Sequence, residues 1–369
     1  MRLECREGLV SALVANPAEQ DKVQALQRAL YRAAKADPER RFHALYDKVH
    51  RRDILERAWV QVRANKGAPG IDRTTIADVE AYGAQRLLEE LSADLRGEQW
   101  RPLPARRVWI PKPGTSEQRP LSIPAVRDRI VQAAAKIVIE PIFEADFVTD
   151  SFGFRPRRSA HDALQVLIDE AWQGRRWVVE TDIASCFEAI PHERLMQAIE
   201  ERICDRRVLK LLRAMLGAGV MEDGVVRGAV SGTPQGGVIS PLLCNVYLHR
   251  LDRAWQAQRY GRLVRYADDL VVMCASRQQA AGALAVLTAM LAGIGLWRPR
   301  RPRPGSCTSR RVARASTSSV STTAGCGLAR SSTVMCSSLL AGLRRRRCGR
   351  SGIGCVSSRP DDACCCRSR

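Results

Sequence analysis

Leu263-Val264-Arg265-Tyr266-Ala267-Asp268-Asp269-Leu270-Val271-Val272-Met273 reads as two apolar strands meeting at an acidic turn. Two adjacent carboxylates in such a place repel each other and lose hydration. A divalent cation would remove that cost. Taken alone, the Asp268-Asp269 pair also suits a solvated hairpin turn, so its surroundings decide the reading. A third acid, Asp182, ends another apolar strand, Trp177-Val178-Val179-Glu180-Thr181. Three Asp at the ends of neighbouring strands suit two Mg²⁺ ions about 4 Å apart, the arrangement for in-line phosphoryl or nucleotidyl transfer.

The surrounding chain alternates helix and strand signals. Residues 1–50 read as a helical N-terminal extension, with Val23, Leu26 and Leu30 near a 3.6-residue period after Asp21. Asp53 opens a helix through Ile54, Leu55, Ala58, Trp59 and Val62, which the breaker run Asn65-Lys66-Gly67-Ala68-Pro69-Gly70 stops. One further helix is predicted from Val79 to Leu95. Arg107 to Gly114 reads as a strand entering a turn, and Arg119 to Pro124 as its return. Helices are predicted from Asp128 to Glu140, with Pro141 inside or at the end, and from Ser159 to Gln173. After Asp182 come helix signals from His192 to Ile203, a hairpin around Met221 to Val225, and a helix from Asn245 to Trp255.

Five blocks share one resemblance. Tyr266-Ala267-Asp268-Asp269 looks like the Y-x-D-D signature of reverse transcriptases, and Asp182-Ile183-Ala184-Ser185-Cys186-Phe187-Glu188-Ala189-Ile190-Pro191-His192 resembles the first catalytic-Asp motif of that family. Ser231-Gly232-Thr233-Pro234-Gln235-Gly236-Gly237-Val238-Ile239-Ser240-Pro241-Leu242-Leu243 is similar to the long P-Q-G motif of the group II intron-encoded subclass. Asn65-Lys66-Gly67-Ala68-Pro69-Gly70-Ile71-Asp72 and Ser151-Phe152-Gly153-Phe154-Arg155-Pro156 resemble two more blocks of it. The matches occur in family order over residues 59–273.

The resemblance implies an α+β right-hand polymerase. It places fingers over 51–175 and a palm with a ferredoxin-like sheet over 176–297. It implies Asp182, Asp268 and Asp269 as the catalytic, metal-binding acids for two Mg²⁺ ions. It implies Phe187 as the ring under the nucleotide sugar, where it would clash with a 2′-OH. Lys112 and Arg119 become the fingers cations that grip the triphosphate, a role suited to a fixed ammonium and a guanidinium fork. Gln235 becomes the P-Q-G glutamine near the nucleotide. Gly236 and Gly237 would let backbone approach substrate closely. The residues also have plainer readings: core packing for Phe187, a solvated basic hairpin for Lys112 and Arg119, and a tight turn for the glycines. The implied function is RNA-directed DNA polymerisation of the group II intron type, tied to splicing and mobility. Its implied partners are an RNA template, intron RNA, a DNA primer and dNTPs.

Charge supports a polyanionic partner, nucleic acid or an anionic membrane, since the formal net charge is +20. The excess is uneven. Residues 298–369 hold 16 Arg, no Lys, 2 Asp and no Glu, whereas residues 1–297 carry a net +6. The N-terminus lacks the apolar run of a signal peptide. The uncharged stretch from Ala280 to Trp297 is long enough to span a bilayer, but it is rich in Ala and Gly and reads as a buried helix. Cys5, Cys186, Cys204, Cys244 and Cys274 show no paired spacing and read as buried thiols of a cytoplasmic protein. No membrane association is expected.

The pattern breaks near Trp297. Residues 298–369 contain no Phe, Tyr, Trp, Lys, Glu, Gln, Asn or His, and Leu, Ile, Val and Phe supply 9 of 72 positions, too few for a core. This Arg/Ser/Cys-rich tail is expected to be disordered, and its composition suits a shifted reading frame. Gly293-Ile294-Gly295-Leu296 begins a block similar to the family's G-L-x-L stretch, but the expected Lys-Thr pair and F-L-G block do not follow, and no Lys occurs after Lys210. Three rival readings stand beside the group II intron type: a cellular reverse transcriptase of defence or diversification, against which the Asn65–Asp72 and Ser231–Leu243 blocks argue; an RNA-binding splicing factor; and a catalytically inactive remnant.

Overall fold

Capping and breaker residues set several of the element boundaries. The computed structural model describes residues 17–111, 118–183, 185–222, 224–228, 232–233, 236–258, 260–296 and 310–311. Helix α1 spans Pro17–Ala36, α2 Tyr46–Val49 and α3 Arg52–Ala64. Helix α3 ends at Asn65, where the breaker run begins. The single helix expected from Val79 to Leu95 is instead two, α4 (Ile76–Tyr82) and α5 (Ala84–Arg96). Gly83 is the break. Its φ of 102° is a conformation that glycine adopts without a Cβ clash, and it caps one helix and opens the next. Helix α4 starts in a reciprocal cap between Thr75 and Asp78, worth about 1 kcal/mol.

Strands β1 (Ala105–Pro111) and β2 (Gln118–Ile123) form an antiparallel pair with Ile110 opposite Arg119. Helix α6 (Val126–Glu144) follows, carrying Pro141 inside it. It is enclosed on nearly all sides: Ile130, Val131, Ala133 to Ala135, Val138, Ile139 and Ile142 are fully buried, and polar Asp128, Arg129 and Gln132 are buried with them. A helix enclosed in this way lies at the centre of the core. Helices α1, α2, α3 and α5 all pack against α6.

Helix α7 (Ala160–Trp172) opens on a Ser159–Asp162 reciprocal cap and leads to β3 (Trp177–Asp182). Then come α8 (Cys186–Ala189), α9 (His192–Glu200) and α10 (Arg206–Gly217). Strands β4 (Val220–Glu222) and β5 (Val225–Arg227) form the expected hairpin. Helix α11 (Ser240–Gln256), β6 (Arg262–Tyr266), β7 (Asp269–Cys274), α12 (Arg277–Gly293) and β8 (Arg310–Arg311) complete the order.

There are two four-stranded sheets among the described residues, ordered β2-β1-β4-β5 and β6-β7-β3-β8. The second is antiparallel throughout. Its apolar runs are explained by burial on both faces. Val264, Val271 and Met273 point to a small core with Ala163, Leu167, Ile168 and Ala171 of α7. The alternate residues Leu263, Leu270, Val272 and Cys274 point to the main core, which includes Ala280, Ala283, Leu287 and Leu291 of α12. The stretch expected as a buried helix is thus α12, and among the described residues no helix is long and apolar enough to cross a membrane. Of residues 298–369, only Arg310 and Arg311 are described, paired with Trp177 and Val178 at the sheet edge. The expectation of a disordered tail otherwise lies outside the described residues, as do residues 1–16 of the N-terminal extension. Cys186, Cys244 and Cys274 are buried free thiols as expected, while Cys204 is half-buried.

Candidate active site

The register of the second sheet gathers the three acids. Strands β3 and β7 run antiparallel with Asp182 directly across from Asp269. Strands β6 and β7 close on Tyr266 opposite Asp269, which leaves Ala267 and Asp268 as a two-residue loop. Ala267 takes φ 57°, the positive value such tight hairpins demand. The Ile183 amide donates to the Asp268 carbonyl at 3.2 Å, tying the loop to the end of β3. All three carboxylates therefore sit at one end of one sheet. A slip of one residue in either strand would turn them to different faces.

Arg265 fixes the loop from beneath and is 1% exposed. Its guanidinium donates to both carboxylate oxygens of Asp252 on α11, to Asn245 Oδ1 at 2.9 Å, to the Ala267 carbonyl at 3.0 Å and to Ser151 Oγ at 2.7 Å. Asn245 Nδ2 in turn donates to the Gly153 carbonyl at 2.9 Å. Residues 150–152 lie along β6, with the Phe152 amide donating to the Arg265 carbonyl at 2.9 Å. Gly153 then packs so closely on the loop that a Cβ there would collide with the Ala267 backbone nitrogen. Ser151-Phe152-Gly153 is therefore the wall on which the acidic turn rests.

Burial and mutual repulsion shape the charges. Asp268 is held above the usual carboxylate range by burial and by the Asp182 charge, against the pull of its own backbone amide, Arg119 and Arg265. Asp269 is pushed up to about 7, first by burial and then by Asp268, Asp182 and Glu180. Two neighbouring acids that resist ionisation together mark a place where positive charge is wanted. Among the described residues, no three acidic, His or Cys side chains stand as a ready-made metal cluster. The donors nonetheless suit a hard cation, since all are carboxylate oxygens whose repulsion it would relieve.

The expected nucleotide-side residues are partly placed. Phe187 lies on α8, half-buried against the main core. Gly232 and Thr233 fold back onto this helix, with the Thr233 amide donating to the Phe187 carbonyl at 2.6 Å and the Gly232 amide to that of Ile190 at 2.8 Å. Arg119 is exposed on β2, within electrostatic reach of Asp268. Gly236 turns against β2, where a Cβ would meet the Ser122 carbonyl at 2.6 Å, so its missing side chain serves the contact with that strand. Lys112 and Gln235 lie outside the described residues.

Residues 110–297 match the family model described as reverse transcriptase (RNA-dependent DNA polymerase). The chain belongs to the reverse-transcriptase family. Its similarity is to group II intron-encoded members. It is 42% identical over 234 residues to Protein YkfC of Escherichia coli (strain K12), covering 62% of this chain and 61% of that protein. It is 39% identical over 213 residues to group II intron-encoded protein LtrA of Lactococcus lactis subsp. cremoris, covering 58% and 35% respectively. The chain thus spans about three-fifths and one-third of the lengths of these two relatives. A solved partial Cas6-RT-Cas1–Cas2 complex overlaps 67% of this chain and 41% of its own, at 23% identity and a TM-score of 0.41.

The sequence pointed to the three acids as candidates but not to the Arg265 clamp. A signal was present. Arg265 sits between Val264 and Tyr266 in a strand buried on both faces, where a charge needs a buried partner. Asp252 and Asn245 are seven residues apart on one helix, a spacing that puts them on the same face. Helix α10 was also missed, although Val208, Leu209, Leu212, Met215 and Leu216 follow a helical period behind the Asp205 N-cap.

Proposed function

We propose that this chain comprises the fingers (51–175) and palm (176–297) of a cytoplasmic RNA-directed DNA polymerase of the group II intron type. It would extend a DNA primer on an RNA template and act with its intron RNA in splicing and mobility. The carrying observation is the register that sets Asp182 across from Asp269 and beside Asp268. The sheet order β6-β7-β3-β8, with helices between β3 and β6 and between β7 and β8, supports a ferredoxin-like palm.

In the proposed reaction the primer 3′-oxygen bonds to the α-phosphorus of a dNTP while the bond to the pyrophosphate oxygen breaks. When held by Asp182, Asp268 and Asp269, two Mg²⁺ ions supply the charge that activates the hydroxyl and stabilises pyrophosphate. The chain's own residues do the rest by position. Arg265 and Gly153 keep the Asp268 loop still, which preserves the alignment on which such transfers depend. Phe187 faces the sugar and excludes a 2′-hydroxyl. Lys112 and Arg119 grip the triphosphate, and Gln235 lies near the nucleotide.

Single-nucleotide extension of a DNA primer annealed to RNA tests this reading. Wild type should add a dNTP in Mg²⁺, and Asp268→Asn should not, with an unchanged circular dichroism spectrum. Equal incorporation by the variant would sink the site assignment. The break in composition after Trp297 favours a second reading, an inactive remnant or RNA-binding splicing factor. Mn²⁺ binding at the acids without any extension by wild type would select it.

A further inference from the structure

Phe154 is a large aromatic in an unexpected state. It is 52% exposed, and its backbone takes φ 57°, a conformation that bulky L-residues rarely adopt. Glycine or asparagine would sit there with less strain. Its neighbours nevertheless pin it on both sides. Before it, Gly153 packs on Ala267 and its carbonyl accepts from Asn245. After it, Arg155 is nearly buried, bonded to Glu144, to the Val148 carbonyl at 2.6 Å and to the Ser151 carbonyl at 2.7 Å. A strained, exposed ring held this firmly has a task that its own burial does not supply.

Its contact shows the task. The Phe154 ring meets the Phe187 ring edge-on, with centroids 6.1 Å apart and planes at 72°. That is the favoured geometry for an aromatic pair. Phe187 packs against the core while remaining half-exposed. Phe154 adds a second contact, and it comes from the same segment that carries the catalytic loop through Gly153. The angle of Phe187 is thereby referenced to the position of Asp268.

We propose that Phe154 is a positioning residue for sugar selection, setting the angle at which Phe187 meets the 2′ position of an incoming nucleotide. The proposal rests on the reading of Phe187 as the sugar-facing ring. It predicts that discrimination depends on two rings acting as one unit.

Calorimetric binding of dGTP and GTP to the full chain in Mg²⁺ tests this without requiring turnover. Wild type should prefer dGTP. Phe154→Ala should reduce that preference by roughly threefold to tenfold, the scale of one edge-on aromatic contact, mainly by tightening GTP. Phe154→Tyr should restore it, and Phe154→Ala combined with Phe187→Ala should match Phe187→Ala alone. If Phe187→Ala erodes the preference and Phe154→Ala does not, the positioning role is wrong and the sugar-facing ring stands. Equal weakening of both nucleotides by Phe154→Ala would show a merely structural residue. Wild type that binds neither nucleotide, or both alike, would overturn this role together with that of Phe187.

Discussion

Arg265 approaches Asp252 to 2.7 Å, and neither side chain is more than 2% exposed. A buried pair of this kind is costly to break from one side, because the surviving charge has no water to turn to. Arg265→Met should destabilise the fold by roughly 3–5 kcal/mol, read from urea denaturation midpoints. Adding Asp252→Leu should recover part of the loss by removing the stranded carboxylate. A single variant as stable as wild type would show that water reaches this pair.

Asp269 gives a pH signature. Its carboxyl is pushed up to about 7 by burial and by Asp268, Asp182 and Glu180, whereas in the unfolded chain it ionises near pH 4. Between those values the folded state holds a proton that the unfolded state has released, so this group lowers stability as pH rises from about 4 to 7. Asp269→Asn resembles the protonated acid. In EDTA it should therefore be about as stable as wild type at pH 3, below the unfolded value, and progressively more stable towards pH 8. A difference that does not change with pH would contradict the raised carboxyl.

Gly153→Ala tests the wall beneath the loop. The added methyl collides with the Ala267 backbone, so one chain segment must move. Forced overpacking of this kind costs about 1–3 kcal/mol. Helix content by circular dichroism should persist while nucleotide addition falls to background. Full activity in Gly153→Ala would mean that the loop tolerates displacement.

Removal of residues 298–369 should leave the remaining spectrum intact. Among the described residues, both hydrophobic cores are built from residues before Trp297, and Arg310 and Arg311 join the edge of a sheet. Circular dichroism before and after deletion is the measurement, and a loss of helix signal would give the tail a structural part.

The acids were legible because each ends an apolar run, and a run's end is a local property. Their mutual register was not, since nothing within Trp177–Asp182 states that Asp182 faces a residue 87 positions later. The Arg265 clamp was harder to read for a similar reason: Asn245 and Asp252 lie on the preceding helix, and Ser151 lies 114 positions earlier. Gly83 was overlooked for the opposite reason. The apolar period carries through it from Val79 to Leu88 and Leu91, so the break lies in backbone conformation and not in hydrophobic pattern. The similarity to a family suggested roles for Phe187 and Arg119 that their local sequence does not.

Strand β7 sends alternate residues into two different cores, and the acidic loop hangs from its first residue. Its amide hydrogens are therefore released to solvent only when both cores open, which places it among the slowest-exchanging segments of the chain. Helix α7 or α12 could each loosen on its own and leave β7 sheltered by the other. The acidic end of this sheet is thus anchored where thermal breathing is least, and larger motions must be found in other elements.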